Sequence, residues 1–312
     1  MDLFRRQTNI DFIGRRRLAY MLSLLLLILS FVSLATRGLN LGIDFTGGTL
    51  VEIAYPQPVE TINIQGILAK ADFEGAIIQH YGSSHDVLVR IPPQPTGNKA
   101  DLEQKVMATL RESGESSPEL RRVEYVGPQV GKELVEDGGL AILLALGAIV
   151  VYIWLRFERR FALGALAATL HDPIVTLGYF SLFGTEFDMP TLAAILAVIG
   201  YSVNDTIVVF DRIRDNSRKM RKATPIGVVN TSINQTLSRT INTSGTTLLV
   251  IIALFVFGGP LLNGFSLALL IGIIVGTYSS VYVASAAALD LGLSRADLLT
   301  VDKDSVEHDH RP

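Results

Sequence analysis

The stretch IGYSVNDTIVVFDRIRDN, Ile199–Asn216, opens like the end of a membrane helix and closes like a polar loop. Asp205 lies inside its apolar part, well before Asp211 and Arg212 bring the polar edge. On a helix the six residues from Asp205 to Asp211 span about 9 Å. A carboxylate at that depth costs about 3 kcal/mol on insertion-type scales, and more if it stays charged and alone. Buried ionisable groups in membranes lean towards function. The stretch thus sets both the class of the protein and the question of its chemistry.

Composition agrees on the class. Of 312 residues, 49% are hydrophobic, and the mean hydropathy is +0.38. The apolar residues gather in long runs: Leu18–Ala35, Gly139–Leu155, Phe161–Phe183, Leu192–Phe210, Ile241–Phe257 and Phe265–Leu289. Each is near or above the ~18–20 residues that cross a ~30 Å hydrocarbon core as helix. Six spans are expected.

The net charge of −3 conceals a strong asymmetry. Arg5, Arg6, Arg15, Arg16 and Arg17 precede span one, and Arg156, Arg159 and Arg160 separate spans two and three. Arg212, Arg214, Arg218, Lys219, Arg221 and Lys222 separate spans four and five. The other two short connections, Gly184–Pro190 and Gly258–Gly264, hold no Lys or Arg. The positive-inside rule places both termini in the cytoplasm and the long segment between spans one and two outside. The expected organisation is a cytoplasmic N-terminus (1–17), span one (18–36), an external domain (37–137), spans two to six (138–290) and a polar cytoplasmic tail (291–312). Ser33 and Ala35 would also suit cleavage of a signal peptide. The apolar run exceeds a usual signal core, which favours an uncleaved anchor. With no cysteine, disulfides and zinc-thiolate sites are excluded.

The external segment reads as a small α+β domain. Ile43–Tyr55 carries strand-like β-branched residues, and Ile77–Tyr81, Val87–Ile91 and Arg122–Val126 are further strand candidates. Helical spacing covers Ala100–Glu112 and roughly Glu60–Phe73. The Pro-rich stretch from Pro92 to Gly97 breaks strand three from helix two. The order β-α-β-β-α-β is the ferredoxin-like pattern, which by itself says nothing of function.

Most candidate chemistry fades. The glycines of GIDFTGG (Gly42–Gly48) lack the Lys-Ser/Thr of a phosphate loop, so a turn or strand-edge role is expected. His80, His85 and Asp86 lack metal-ligand spacing and read as solvated surface, so no metal site is expected. Asn204, Asn230, Asn234 and Asn242 each begin Asn-x-Ser/Thr, but their topology excludes glycosylation. Tyr152 and Trp154 read as interfacial anchors.

The intramembrane polar residues stand apart. Gln235, Arg239, Asn242 and Thr246 share one face at the start of span five. Spans four and five are antiparallel, so Arg239 and Asp205 both belong to the inner leaflet, and pairing would relieve the insertion cost. His171, Asp172 and Pro173 lie near mid-membrane in span three, where proline frees a carbonyl and can kink the helix. Asp205, Arg239, Asp172 and His171 are candidate proton carriers. The plainer alternative makes Asp205–Arg239 a static clamp and His171–Asp172 a packing contact. In span six, Gly272, Gly276, Ser280, Ala284 and Ala288 recur every four residues, a ridge that admits another helix closely. Its counterpart, within the chain or on a partner, stays open.

The motifs GIDFTGG, Val126-Gly127-Pro128, LHDPIVTLG, GYSVNDTIVVFDRIR, SINQTLSRTINTSGTTLL and VGTYSS, in that order, resemble the SecF branch of the SecD/SecF family of bacterial protein-export proteins. The resemblance runs from about Arg5 to Leu291. It implies six helices forming one half of a bundle like that of the resistance-nodulation-division (RND) transporters, with the small domain in the periplasm. A SecD partner would supply the other half. It implies no enzyme and no cofactor beyond protons. The family uses the proton-motive force to help preproteins leave the SecYEG channel, after SecA has used ATP. It also takes part in membrane protein insertion, with YajC and YidC as further associates. Membrane lipids surround it and nucleic acid is not among its partners. Proton transfer there is attributed to an Asp in VNDT and an Arg in SRT, which stand here as Asp205 and Arg239. The implied location is the bacterial inner membrane. An RND-type exporter half for small molecules or lipids and a passive assembly subunit are the alternatives. An intramembrane hydrolase built on His171–Asp172 is the weakest, because no nucleophile accompanies it.

Overall fold

Six long apolar helices account for most of the chain. The structure is a computed structural model that describes residues 8–292 apart from 72, 74, 94–98 and 114–116. Arg5, Arg6, the Pro95–Gly97 part of the expected breaker and residues 293–312 of the expected tail lie outside the described residues. The spans are α1 (Arg16–Thr36), α5 (Pro128–Arg156), α6 (Arg159–Phe183), α7 (Met189–Lys219) and α8 (Pro225–Phe257). The sixth is α9 (Asn263–Ser279), continued by a π-helical turn, Ser280–Ala284, into α10 (Ser285–Asp290).

Local chemistry places the helix ends. Pro190 sits in the first turn of α7, and the Asp188 carboxylate accepts from the Thr191 N–H at 2.9 Å. The Thr224 hydroxyl caps α8 in the same way. Gly184, left-handed at φ 64°, ends α6. That helix runs on through Pro173. The interior of the bundle is built by α6, α7 and the sixth span, which are half or more buried, while α1, α5 and α8 are mostly exposed.

Between α1 and α5 lies the small domain. Its elements are β2 (Gly48–Ala54), α3 (Thr61–Lys70), β3 (Ile77–Tyr81), β4 (Ser83–Ile91), α4 (Lys99–Glu112) and β5 (Glu119–Val126). The sheet order is β3-β4-β2-β5, antiparallel throughout, with the β-α-β-β-α-β chain order expected. Alternation puts Val51, Ile53, Val87, Val89 and Ile91 on one face, where they meet Ile64 and Leu68 of α3 and Val106 and Leu110 of α4.

The strand expected over Ile43–Tyr55 begins late. Ile43–Thr46 is instead a helical turn, α2. Gly47 (φ 69°) and Gly48 (φ 126°) then reverse the chain into the sheet, and a β-carbon on Gly48 would fall 2.5 Å from the Ile91 carbonyl oxygen. Just before α2, β1 (Asn40–Leu41) pairs in parallel with β6 (Glu186–Phe187), in the connection between α6 and α7.

Candidate functional site

A polar layer crosses the middle of the bundle. Asp172, on α6, is fully buried. Its Oδ1 pairs with His171 Nδ1 at 2.9 Å, and its Oδ2 accepts from the Ser202 hydroxyl of α7 and from Ser279 of α9 at 2.7 Å. One carboxylate thereby ties three helices. Gly276 makes the approach possible, since a β-carbon there would sit 3.1 Å from Ser202 Cβ. Beside it, Ser244 of α8 bonds Thr277 of α9 at 2.8 Å.

Asp205 is placed differently. It lies one helical turn beyond Ser202 on α7 and is 4% exposed, yet its Oδ2 has no hydrogen-bond partner among the described residues. Facing it from α8 are Ser244 and the charge of Arg239. Neighbouring Thr240 is also buried with its hydroxyl unpaired among the described residues. The Arg239 side of α8 is open: Arg239 and Thr246 are exposed and Asn242 is half-buried. No ion pair joins Asp205 to Arg239 among the described residues, so the chain by itself holds the two charges near each other without closing them into a clamp.

The expected residues therefore fall into two groups. Asp172 and His171 belong to a closed hydrogen-bonded junction, although His171 Nε2 is buried without a partner among the described residues. Asp205 and Arg239 belong to an open one. The span-six ridge finds its counterpart within the chain: a β-carbon on Gly272 would meet Val198 Cγ2 at 2.2 Å, and one on Gly164 of α6 would meet the Ala284 carbonyl at 2.6 Å. Ser280 is fully buried in the π-helical turn.

Sequence reasoning passed over several members. Ser202, Ser244 and Ser279 are single hydroxyls in apolar helices, a weak signal. A stronger one was present in Ala193, Ala197, Gly200 and Asn204, spaced four, three and four along α7. These small residues are exposed, and the space over Gly200 is empty. Asn230 and Asn234 also have a place. At the end of α8 that carries the basic loop, their amides bracket Ile10, Asn234 Oδ1 accepting its N–H at 2.8 Å and Asn234 Nδ2 donating to its carbonyl at 2.8 Å. Asn230 Oδ1 accepts from Phe12 N–H at 2.9 Å. At the same end Arg156 pairs with Asp211 at 2.8 Å, and Arg212 Nε reaches Gln235 at 2.6 Å.

Comparison with known proteins adds three findings. Residues 105–294 match the family described as protein export membrane protein SecD/SecF, C-terminal, and residues 32–59 match the SecD/SecF GG motif. The chain is 46% identical to the protein translocase subunit SecF of Vibrio alginolyticus, covering 100% of this chain and 99% of that one. It is 48% identical to the SecF of Pseudomonas aeruginosa over 97% of this chain and 98% of that one. A crystal structure of SecDF, a translocon-associated membrane protein from Thermus, superposes with a TM-score of 0.84 at 38% identity. That match covers 94% of this chain, which in turn spans only 40% of the SecDF chain.

Proposed function

The chain belongs to the SecD/SecF family of protein-export membrane proteins, and on that premise we propose that it is the SecF-type half of a proton-driven protein translocase. Its relatives carry the name of translocase subunit at nearly full length, and it is a multi-pass membrane protein with six spans. The 40% coverage of a SecDF chain fits a bundle completed by a SecD partner. The wider assembly would include the SecYEG channel, SecA, YajC and YidC, in the bacterial inner membrane with both termini cytoplasmic.

One observation supports the proton reading most. Asp205 is buried with an unpaired carboxylate oxygen, beside an α8 face whose Arg239 the chain leaves exposed. An uncovered guanidinium at membrane depth calls for a counter-charge from a partner. Protonation of Asp205 would then change which carboxylate Arg239 faces, and the helix interface would resettle between two arrangements. A proton falling through ~150–200 mV supplies about 3–5 kcal/mol, enough to bias such a motion strongly.

The test is Asp205→Asn, which keeps size and hydrogen-bonding capacity but never carries charge. Preprotein translocation into vesicles is measured with and without a proton gradient, at matched expression. The parent shows gradient-dependent stimulation and the variant assembles but loses it. Parent-like stimulation by the variant would overturn the proton-carrying role of Asp205.

A further inference from the structure

The external end of α7 is where the small domain is fastened to the bundle. Met189 starts a continuous helix that reaches Asp205 sixteen residues on, about 24 Å along its axis. A shift of α7 at Asp205 is therefore delivered to its first turn. The N–H groups there have no partners within the helix. Asp188 takes the Thr191 N–H, but the Met189 N–H donates to Asp44 Oδ2 at 2.9 Å, from α2. Asp44 is thus a cap supplied from 145 residues away, and its charge also favours the positive end of the helix.

The segment that carries Asp44 is held from the domain side. Arg90 of β4 donates to the Leu41 carbonyl and to Thr46 Oγ1 at 3.1 Å, on either side of Asp44. The same guanidinium lies 3.8 Å from Glu186, which also accepts from Gln79 of β3 at 3.2 Å. Glu186 sits in β6, directly before α7. Helix α5 meets the motif from below as well: a β-carbon on its Gly131 would lie 2.9 Å from both the Gly47 nitrogen and the Phe45 carbonyl oxygen. Beneath the sheet is a cavity of about 280 Å³ lined by Asp44, Met189, Leu50, Leu88, Tyr81 and Leu261 among others. The fastening thus borders open space, since Asp44, Glu186 and Met189 line the cavity themselves.

We infer that Asp44, with the Arg90–Glu186 pair, is the joint through which movement of α7 tilts the external domain. Asp44 is a positioning residue: it touches no proton path but ties the helix of Asp205 to the segment that enters the sheet. Arg90 and Glu186 keep β4 in register with that segment. The inference rests on the proton-driven reading above.

The experiment uses the chain with its SecD-type partner in vesicles. The chain has no native cysteine, so spin labels at Ile62→Cys on the domain and Leu261→Cys on the bundle give one distance within it. Both positions are exposed. In the parent, acidifying the outside moves the distance distribution. Asp44→Ala is expected to cut the shifted population by about twofold to thirtyfold, the range of a lost helix cap. Asp44→Asn, whose amide oxygen still accepts from Met189, restores most of it. A merely structural contact would lower stability without separating Ala from Asn in this response. Should Asp44→Ala fail to assemble, Glu186→Gln is read in its place and is expected to weaken the response. An Asp44→Ala complex, or failing it a Glu186→Gln complex, that moves like the parent overturns the joint. A parent that does not move overturns the proton-driven reading and the joint with it.

Discussion

Asp172 and Asp205 are chemically identical side chains on two different helices, α6 and α7, and their surroundings are opposite. Asp172 accepts from His171, Ser202 and Ser279, so removing it orphans His171 Nδ1 and the Ser202 hydroxyl, and leaves Ser279 only the Gly276 carbonyl, at the meeting point of α6, α7 and α9. Orphaned buried groups cost about 1–3 kcal/mol each. Asp172→Ala should therefore lower the thermal midpoint of the purified complex clearly. Asp205→Asn should leave that midpoint near the parent's, because no hydrogen bond to its Oδ2 is lost. Equal losses from both would mean that Asp205 is as structural as Asp172. Arg239→Lys should be only partly tolerated in gradient-driven export, since an ammonium lacks the planar fork of a guanidinium. The two carboxylates were visible in the sequence because a charge inside an apolar run stands out. Their contrast was not: periodicity tells which residues share a face, and not which neighbouring helix that face meets.

Glycines divide the helices in the same way. Gly272 is pressed onto Val198, and Gly200 faces empty space on the exposed strip of α7. Overpacking costs about 1–3 kcal/mol where a core is full. Gly272→Leu should destabilise this chain itself, seen as a lower unfolding midpoint with or without a partner. Gly200→Leu should spare the chain and reduce co-purification of the partner, since small residues permit close helix approach. If Gly200→Leu co-purifies the partner as well as the parent does, the α7 strip is not the contact. The spans themselves were legible from hydropathy, but their ends were not. The apolar runs begin at Gly139 and Ile241, whereas the helices begin at Pro128 and Pro225. Helix continues beyond the hydrocarbon core on polar residues that carry no apolar signal. The reversal at Gly47 and Gly48 agrees with the turn expected for the GIDFTGG glycines, but the helical turn before it was hidden, because Ile43 and Phe45 suit a strand as well as the helical turn that packs them inward.

At the scale of the molecule, two asymmetries have to be satisfied together. Short basic loops lie at one end of the bundle, with Arg156–Asp211 and Arg212–Gln235 holding it, and the folded domain lies at the other. Reporter fusions after Arg160 and Met220 should read cytoplasmic, and fusions near Glu186 and Asn263 external. The opposite pattern would overturn the orientation. The second asymmetry runs around the bundle. Its ridge on span six is consumed internally by Val198 and Gly164, which removes one reason to expect a partner and leaves another in its place. The surface left over is the α7 strip and the Arg239 face of α8, small residues and a guanidinium that lipid tails cannot solvate. That surface abuts Asp205, whose Oδ2 has no hydrogen-bond partner among the described residues, so whatever covers it would also complete the proposed proton site. A native pull-down should return a second membrane protein whose own intramembrane Asp reaches Arg239. A cysteine placed at Gly200 should cross-link to that partner, and one at Phe257, which is 85% exposed on the far end of α8, should not. Recovery of this chain alone, or of copies of itself cross-linked through Gly200, would mean that the bundle is not half of a heteromeric transporter.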